Sequence, residues 1–175
     1  MARPIIVNKD HENFIRSLSG IADRKDDTSI DNDETRIFTN RYDLVRFAAA
    51  LGYTMGKKDK MEKDTFVVME PRIVDAQKKL KDDINIIAVA DNGNEEIFDC
   101  EENVKEKNEE KRFNIYYEYL NGGLAILKQW YNTDIVGYNG IIKNLVSNGI
   151  IQKEKKKLEV SQAKPKRKKK NILKK

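Results

Sequence analysis

In 175 residues the chain has one cysteine, one histidine, one tryptophan and three prolines, and each shortage removes a class of chemistry. Cys100 alone cannot form an intramolecular disulfide, so nothing points to an oxidising compartment. With His11 as the sole histidine, a structural zinc site of Cys and His ligands cannot be assembled within one chain. A Ser–His–Asp or Cys–His arrangement would have to use His11, and no Gly-x-Ser-x-Gly elbow accompanies it. His11 lies on a polar flank and reads as an ordinary surface residue. Cys100 sits between Asp99 and Glu101, whose negative charge disfavours the thiolate, so it reads as unreactive. The nine glycines form neither a Walker A loop nor a Gly-x-Gly-x-x-Gly fingerprint, so nucleotide binding has no support and no cofactor is expected. Apolar runs such as residues 47–51 fall far short of the ~20 residues of a membrane span. The opening Met-Ala-Arg-Pro-Ile-Ile-Val lacks the apolar core of a secretory signal. The expectation is a soluble, cytoplasmic protein with no membrane contact.

Charge, by contrast, is abundant. Asp, Glu, Lys and Arg make up 36% of the chain, against ~25% in ordinary globular proteins, and the distribution is lopsided. Residues 153–175 hold twelve Lys or Arg against only Glu154 and Glu159, a local net charge of +10. That leaves residues 1–152 with 22 basic and 27 acidic side chains, a net −5. The chain therefore reads as an acidic globular domain over residues 1–152 carrying a disordered, Lys-rich tail over residues 153–175. The two parts should have different partners.

Periodicity predicts an all-α body of about five helices. Residues 8–22 place Phe14, Ile15, Leu18 and Ile21 on one face, with Asn8 as N-cap. Residues 23–36 are too polar to bury and read as a solvated loop. The next helix is capped by Thr39 or Asn40 and repeats Leu44, Phe47, Ala48 and Leu51 at i, i+3, i+4, i+7, with Gly52 ending it at C′. Residues 66–69, Phe-Val-Val-Met, form a short β-prone run stopped by Pro71, read as an extended segment packed on the helices. Residues 72–81 suggest a helical turn or two. Asp82 or Asp83 then caps a helix carrying Ile84, Ile87 and Ala88, read as continuing irregularly through Asn92-Gly93-Asn94 to Phe98. The longest helix, residues 108–132, carries Phe113, Tyr116, Tyr117, Leu120, Leu124, Leu127 and Tyr131 in one stripe. Tyr119 falls off that stripe and reads as the best candidate for an exposed contact. Gly122 and Gly123 interrupt the helix at roughly 1 kcal/mol each relative to Ala, which requires a kink or a second backbone packed against them. A last helix, residues 134–147, ends before Gly149.

Carboxylates are plentiful enough for a Mg²⁺ site. The nuclease pattern of an Asp followed by Glu-x-Lys on paired strands nevertheless finds no strands to carry it, and Glu62-Lys63-Asp64 lies in a charge-rich loop. No metal is expected.

The tail carries the strongest functional signal. Lys164-Pro165-Lys166-Arg167-Lys168-Lys169-Lys170 packs six cations into seven residues, and mutual repulsion with Pro165 opposes any helix. Phosphate backbones attract such a segment through counterion release without base readout. A membrane surface would find only Ile172 and Leu173 to insert, and in a eukaryote the block would pass as a nuclear localisation signal. The plain alternative is that the lysines aid solubility or pair with the acidic body.

Two stretches carry a family resemblance. Asp-Leu-Val-Arg-Phe-Ala-Ala-Ala-Leu-Gly-Tyr at 43–53 and Tyr-Glu-Tyr-Leu-Asn-Gly-Gly-Leu-Ala-Ile-Leu at 117–127 resemble, in order and spacing, the small proteins known as DNA phosphorothioation-associated (Dnd-system-associated) protein 4. The similarity covers roughly residues 8–135. It implies the genetic setting of bacterial cassettes that replace a non-bridging phosphate oxygen of DNA with sulfur or restrict unmodified DNA. Neither motif is catalytic, so no catalytic residue follows from it. The chain departs from the family pattern at Leu120, where Ala is expected, and in its long basic tail.

These readings combine into a non-enzymatic accessory protein of a DNA modification or restriction system acting in anti-phage defence. Lys164, Lys166, Arg167, Lys168, Lys169 and Lys170 would hold DNA. Ala48, Ala49, Gly122 and Gly123 would form a contact with a protein partner from the same system. The alternatives are an interaction module with no DNA role and a carboxylate-dependent nuclease.

Overall fold

The computed structural model describes residues 3–19, 37–98, 102–132 and 137–151. They form a largely helical domain of six helices and one two-stranded sheet. Strand β1, Ile5–Asn8, leads through a 3-10 turn at Lys9–His11 into α1, Glu12–Ser19. After residue 37 the chain forms α2, Arg41–Thr54, a loop over 55–64, and strand β2, Thr65–Met69. Short α3, Pro71–Ala76, precedes α4, Lys78–Asn92; long α5, Glu102–Tyr131, and α6, Tyr138–Ser147, follow.

The sheet pairs the two most β-prone runs of the chain, which lie some sixty residues apart. Ile-Ile-Val of β1 runs antiparallel to Phe-Val-Val of β2, with Val7 opposite Phe66, Asn8 opposite Thr65, and an irregularity between Ile5 and Ile6. β-Branched and aromatic side chains suit a half-buried pleat, and Ile5 and Val7 are fully buried beneath it. The first helix therefore starts at Glu12 rather than Asn8. The Asn8 side chain makes no cap bond there and is used elsewhere, as described below.

Helix α5 is the spine, about 45 Å long at 1.5 Å per residue. Of its expected stripe, Phe113, Tyr116, Tyr117, Leu120, Leu124 and Leu127 are buried and Tyr131 is half-buried. Burial extends right around the helix from Tyr119 to Leu124, because α2, α4 and β1 all pack there. Tyr119 is consequently a core residue, not an exposed contact.

Helix boundaries follow cap chemistry in some places and tertiary packing in others. Asn40 caps α2 as expected, its Oδ1 accepting the Asp43 N–H at 2.9 Å. Pro71 opens α3 at the first turn, where its missing N–H costs nothing. The cap expected from Asp82 or Asp83 is absent: α4 begins four or more residues earlier, and the Asp83 carboxylate instead grips Arg46 of α2. Gly93, at φ +65°, ends α4 in the left-handed conformation, so the helix does not run on to Phe98. A separate 3-10 turn covers Glu95–Phe98. Gly52, expected to terminate α2, lies inside it and is buried.

Candidate functional site

Helices α2 and α5 cross at very close range. A Cβ on Gly123 would lie 1.8 Å from the Ala48 carbonyl oxygen, and one on Gly52 would lie 2.0 Å from the Tyr119 carbonyl oxygen. The two helix backbones are in direct contact, which only residues with little or no side chain allow. Ala48 and Ala49 are fully buried on α2, and Gly122 and Gly123 are buried on α5. The small-residue surface expected to meet a partner is thus occupied within the chain. None of these four residues faces outward. Of the two explanations open for the Gly122–Gly123 pair, close backbone packing is the one observed, and α5 runs through it unbroken.

A polar network pins the loop over 55–64 onto this crossing. Asn121, fully buried on α5, accepts the Asn8 N–H through Oδ1 at 2.9 Å and donates from Nδ2 to the Tyr117 carbonyl and Met61 Sδ. Asn8 in turn donates to the Lys60 carbonyl and accepts the Glu62 N–H. The loop backbone closes on both helices, Lys57 N–H bonding Gly52 O and Asp59 N–H bonding Glu118 O. At the α4 side, Lys58 reaches Asp91 at 2.6 Å and lies over the Tyr119 ring, whose hydroxyl donates to Asp91 at 2.7 Å. Burial and the Asp91 carboxylate push the Tyr119 hydroxyl up to about 12. Burial opposes ionisation of Asp91, yet the bonds from Lys58 and Tyr119 outweigh it and hold its pKa below the ordinary value. The network is structural: each group is spent on holding the loop.

His11, expected at the surface, is buried, and its Nδ1 has no hydrogen-bond partner among the described residues. Burial, the largest influence, lowers its pKa from 6.5, and Lys128 adds to the effect. Asp10, Asp59 and Glu62 oppose it. The unfolded chain therefore binds a proton here before the folded chain does. His11's contribution to stability is complete above about pH 6.5 and is lost progressively below it. Urea melts at about pH 7.5 and about pH 5.5, above the range where carboxylates titrate, will show the native chain losing stability and His11→Gln losing less. Equal losses would show that His11 is not the titrating group.

Two surface features remain. One is a groove of about 460 Å³ between α2 and α4, lined by Phe47, Ala50, Tyr53, Ile86 and the Arg46–Asp83 pair; Ile86 is 65% exposed. The other is a cluster of cations from separate elements around Phe66 of β2. Sequence reading misses both, since their residues meet only in the fold. Among the described residues no group of three or more His, Cys, Asp or Glu is placed to hold a metal ion. No helix among them is long and apolar enough to cross a membrane. Lys164, Lys166, Arg167, Lys168, Lys169 and Lys170 lie outside the described residues, as do Cys100 and the polar stretch at 23–36.

No curated protein and no solved structure matches the chain. A family model described as DNA sulphur modification system-associated protein 4 matches residues 5–163. That span takes in the α2–α5 crossing, the Asn8–Asn121 network and the loop they hold, and it ends just before the Lys164–Lys170 block. With nine-tenths of its length matched, the chain belongs to the DNA sulphur modification system-associated protein 4 family.

Proposed function

We propose that this protein is a non-enzymatic accessory component of a bacterial DNA phosphorothioation system serving modification, restriction and anti-phage defence in the cytoplasm. Its folded body docks a protein partner of that system, and its basic tail tethers the assembly to DNA. The observation that carries the reading is the division of charge, −5 over residues 1–152 and +10 over residues 153–175, in a chain whose family is associated with DNA sulphur modification. An acidic body repels a phosphate backbone on average, while a dense cationic segment gains affinity from released counterions whatever the sequence beneath it. The lone histidine and cysteine and the lack of a nucleophile motif support a non-catalytic role. No cofactor enters the proposal.

The test is fluorescence anisotropy of a DNA duplex titrated across a salt series with the full chain and with a full chain in which Lys166, Arg167, Lys168, Lys169 and Lys170 are changed to Glu. The native chain should bind with a steep salt dependence. The variant should bind at least tenfold more weakly, its log–log slope reduced by about 0.9 for each phosphate no longer neutralised, with an unchanged circular dichroism spectrum. Equal binding by both would remove the tail from the reading. Nicking of the duplex in Mg²⁺ or Mn²⁺ would remove the non-enzymatic claim.

A second reading, an adaptor with no direct DNA role, draws on the α2–α4 groove, where Phe47, Tyr53 and Ile86 leave apolar surface open. It gains if neither chain binds DNA.

A further inference from the structure

We propose that the groove between α2 and α4 is a seat for the chain's own basic tail, with Ile172 and Leu173 lodged in it when no DNA is bound. The docking stands on the groove and the tail alone; its competition with DNA rests on the tether reading above.

The groove, at about 460 Å³, falls within the roughly 300–1,000 Å³ common to binding pockets. Phe47, Ala50, Tyr53 and Ile86 line it, and Tyr53 and Ile86 remain 40% and 65% exposed. Covering them is favourable in proportion to the apolar area removed from water. Of the three charged residues in the lining, Asp83 is paired with Arg46. Asp43 is exposed; its carboxylate accepts a bond from the neutral Asn40 side chain and has no ion-pair partner among the described residues. An apolar groove with one uncompensated carboxylate suits an apolar segment flanked by cations.

The tail contains one such segment. Ile172 and Leu173 are its only adjacent large apolar residues, preceded by Lys168-Lys169-Lys170-Asn171 and followed by Lys174-Lys175. Leu158 and Val160 flank Glu159 instead, whose charge Asp43 would repel. Residues 152–171 separate Ile151, the last described residue, from Ile172. Extended, that connection spans up to roughly 66–72 Å at ~3.3–3.6 Å per residue, more than the about 45 Å length of α5. Net charges of −5 on residues 1–152 and +10 on residues 153–175 draw the two parts together. Two aliphatic side chains would bind weakly as a separate peptide, but a tether supplies them at an effective concentration on the order of millimolar. DNA phosphates would compete for the same lysines, so binding to a duplex would open the groove to a protein partner.

Disulfide trapping in the full chain tests this. With Cys100→Ser removing the native thiol, Ala50→Cys on the groove is paired with Lys174→Cys beside the apolar pair, and dilute protein is oxidised with copper phenanthroline. Adding Ile172→Ser/Leu173→Ser, or Ile86→Gln on the groove side, should slow the intramolecular disulfide about fivefold, since either change removes the contact that raises the local concentration. Unchanged rates would mean that the apolar pair and the groove do not recognise each other, and would overturn the docking. A disulfide formed chiefly between two chains and lost on dilution would overturn it too. If Ala50→Cys proves unfolded by circular dichroism, Thr54→Cys in the same lining takes its place. Excess DNA duplex separates this inference from the tether. Slower trapping in its presence supports docking and tether as competitors. Trapping that still depends on Ile172, Leu173 and Ile86 but ignores the duplex keeps the docking and overturns the tether. Trapping indifferent to those residues, with DNA binding lost in the Glu variant of the tail, overturns the docking and keeps the tether.

Discussion

Gly123→Ala will lower the melting temperature by on the order of 10 °C, although in an isolated helix the same change would stabilise. Helix propensity favours Ala over Gly by about 1 kcal/mol, so α5 alone would gain. In the fold, the new Cβ would lie 1.8 Å from the Ala48 carbonyl oxygen and 3.0 Å from the Gly52 nitrogen. Both are backbone atoms, so no side-chain rotation relieves the clash. Helices α2 and α5 must move apart along the length that buries Leu44, Ala48, Leu120 and Leu124. Overpacking usually costs about 1–3 kcal/mol and more where nothing can yield. Against the propensity gain, a net loss of about 3 kcal/mol is expected, and a chain of this size loses roughly 2–4 °C per kcal/mol. Gly52→Ala should behave alike, since its Cβ would meet the Tyr119 carbonyl at 2.0 Å. Gly122→Ala should cost less: its Cβ would meet the Lys57 carbonyl at 2.1 Å, so the strain falls on the loop's hydrogen bonds and not on the α2–α5 contact. Thermal melts of the three variants give the ranking. Gly123→Ala melting at the native temperature would mean the helices do not touch at this point.

Asn121→Leu should cost about 2 kcal/mol and release the loop over 55–64. The substitution keeps the branching and number of side-chain heavy atoms but removes the acceptor for the Asn8 N–H and the donor to the Tyr117 carbonyl. A buried group left without its partner costs roughly 1–3 kcal/mol; here the Asn8 N–H is stranded in a residue almost wholly buried, while the Tyr117 carbonyl keeps its helical bond from the residue-121 N–H. The effect spreads through Asn8, whose side chain holds Lys60 and Glu62. Urea denaturation measures the stability loss. Limited trypsin digestion under native conditions should show new cleavage at Lys57, Lys58, Lys60 or Lys63. Destabilisation without loop cleavage would place Asn121 in the core but not in control of the loop.

These residues mark how far the sequence can be read. The Asn-Gly-Gly segment stands out because two glycines in a helix require a compensating reason, and that reason is legible as one of two options. That the packed backbone belongs to the same chain is not legible, because periodicity shows which face is small or apolar but never what covers it. The same limit explains Ala48 and Ala49, expected at a partner surface and found in the core. His11 and Tyr119 escape a sequence reading because their burial comes from segments distant in the chain; over Tyr119, the charge-rich loop bonds Gly52 and Glu118 through its backbone and Lys58 reaches Asp91 of α4. Asn8 resembles a helix cap because pairing of residues 5–8 with β2, some sixty residues away, leaves no local trace.

By itself the sequence determined what depends on neighbours along the chain: the Asn40 cap and core stripe of α2, the buried stripe of α5, the opposite net charges of residues 1–152 and 153–175, and the family. Local hydrogen bonding, helical spacing and summed charge suffice for these. Only the tertiary structure decided that Gly52 continues a helix, that Asn8 and Asn121 clamp a loop, and that Lys9, Arg16 and Arg41 meet on Phe66. Each of these arises when segments distant in the chain are brought within bonding distance, and burial of the shared apolar core fixes which segments those are.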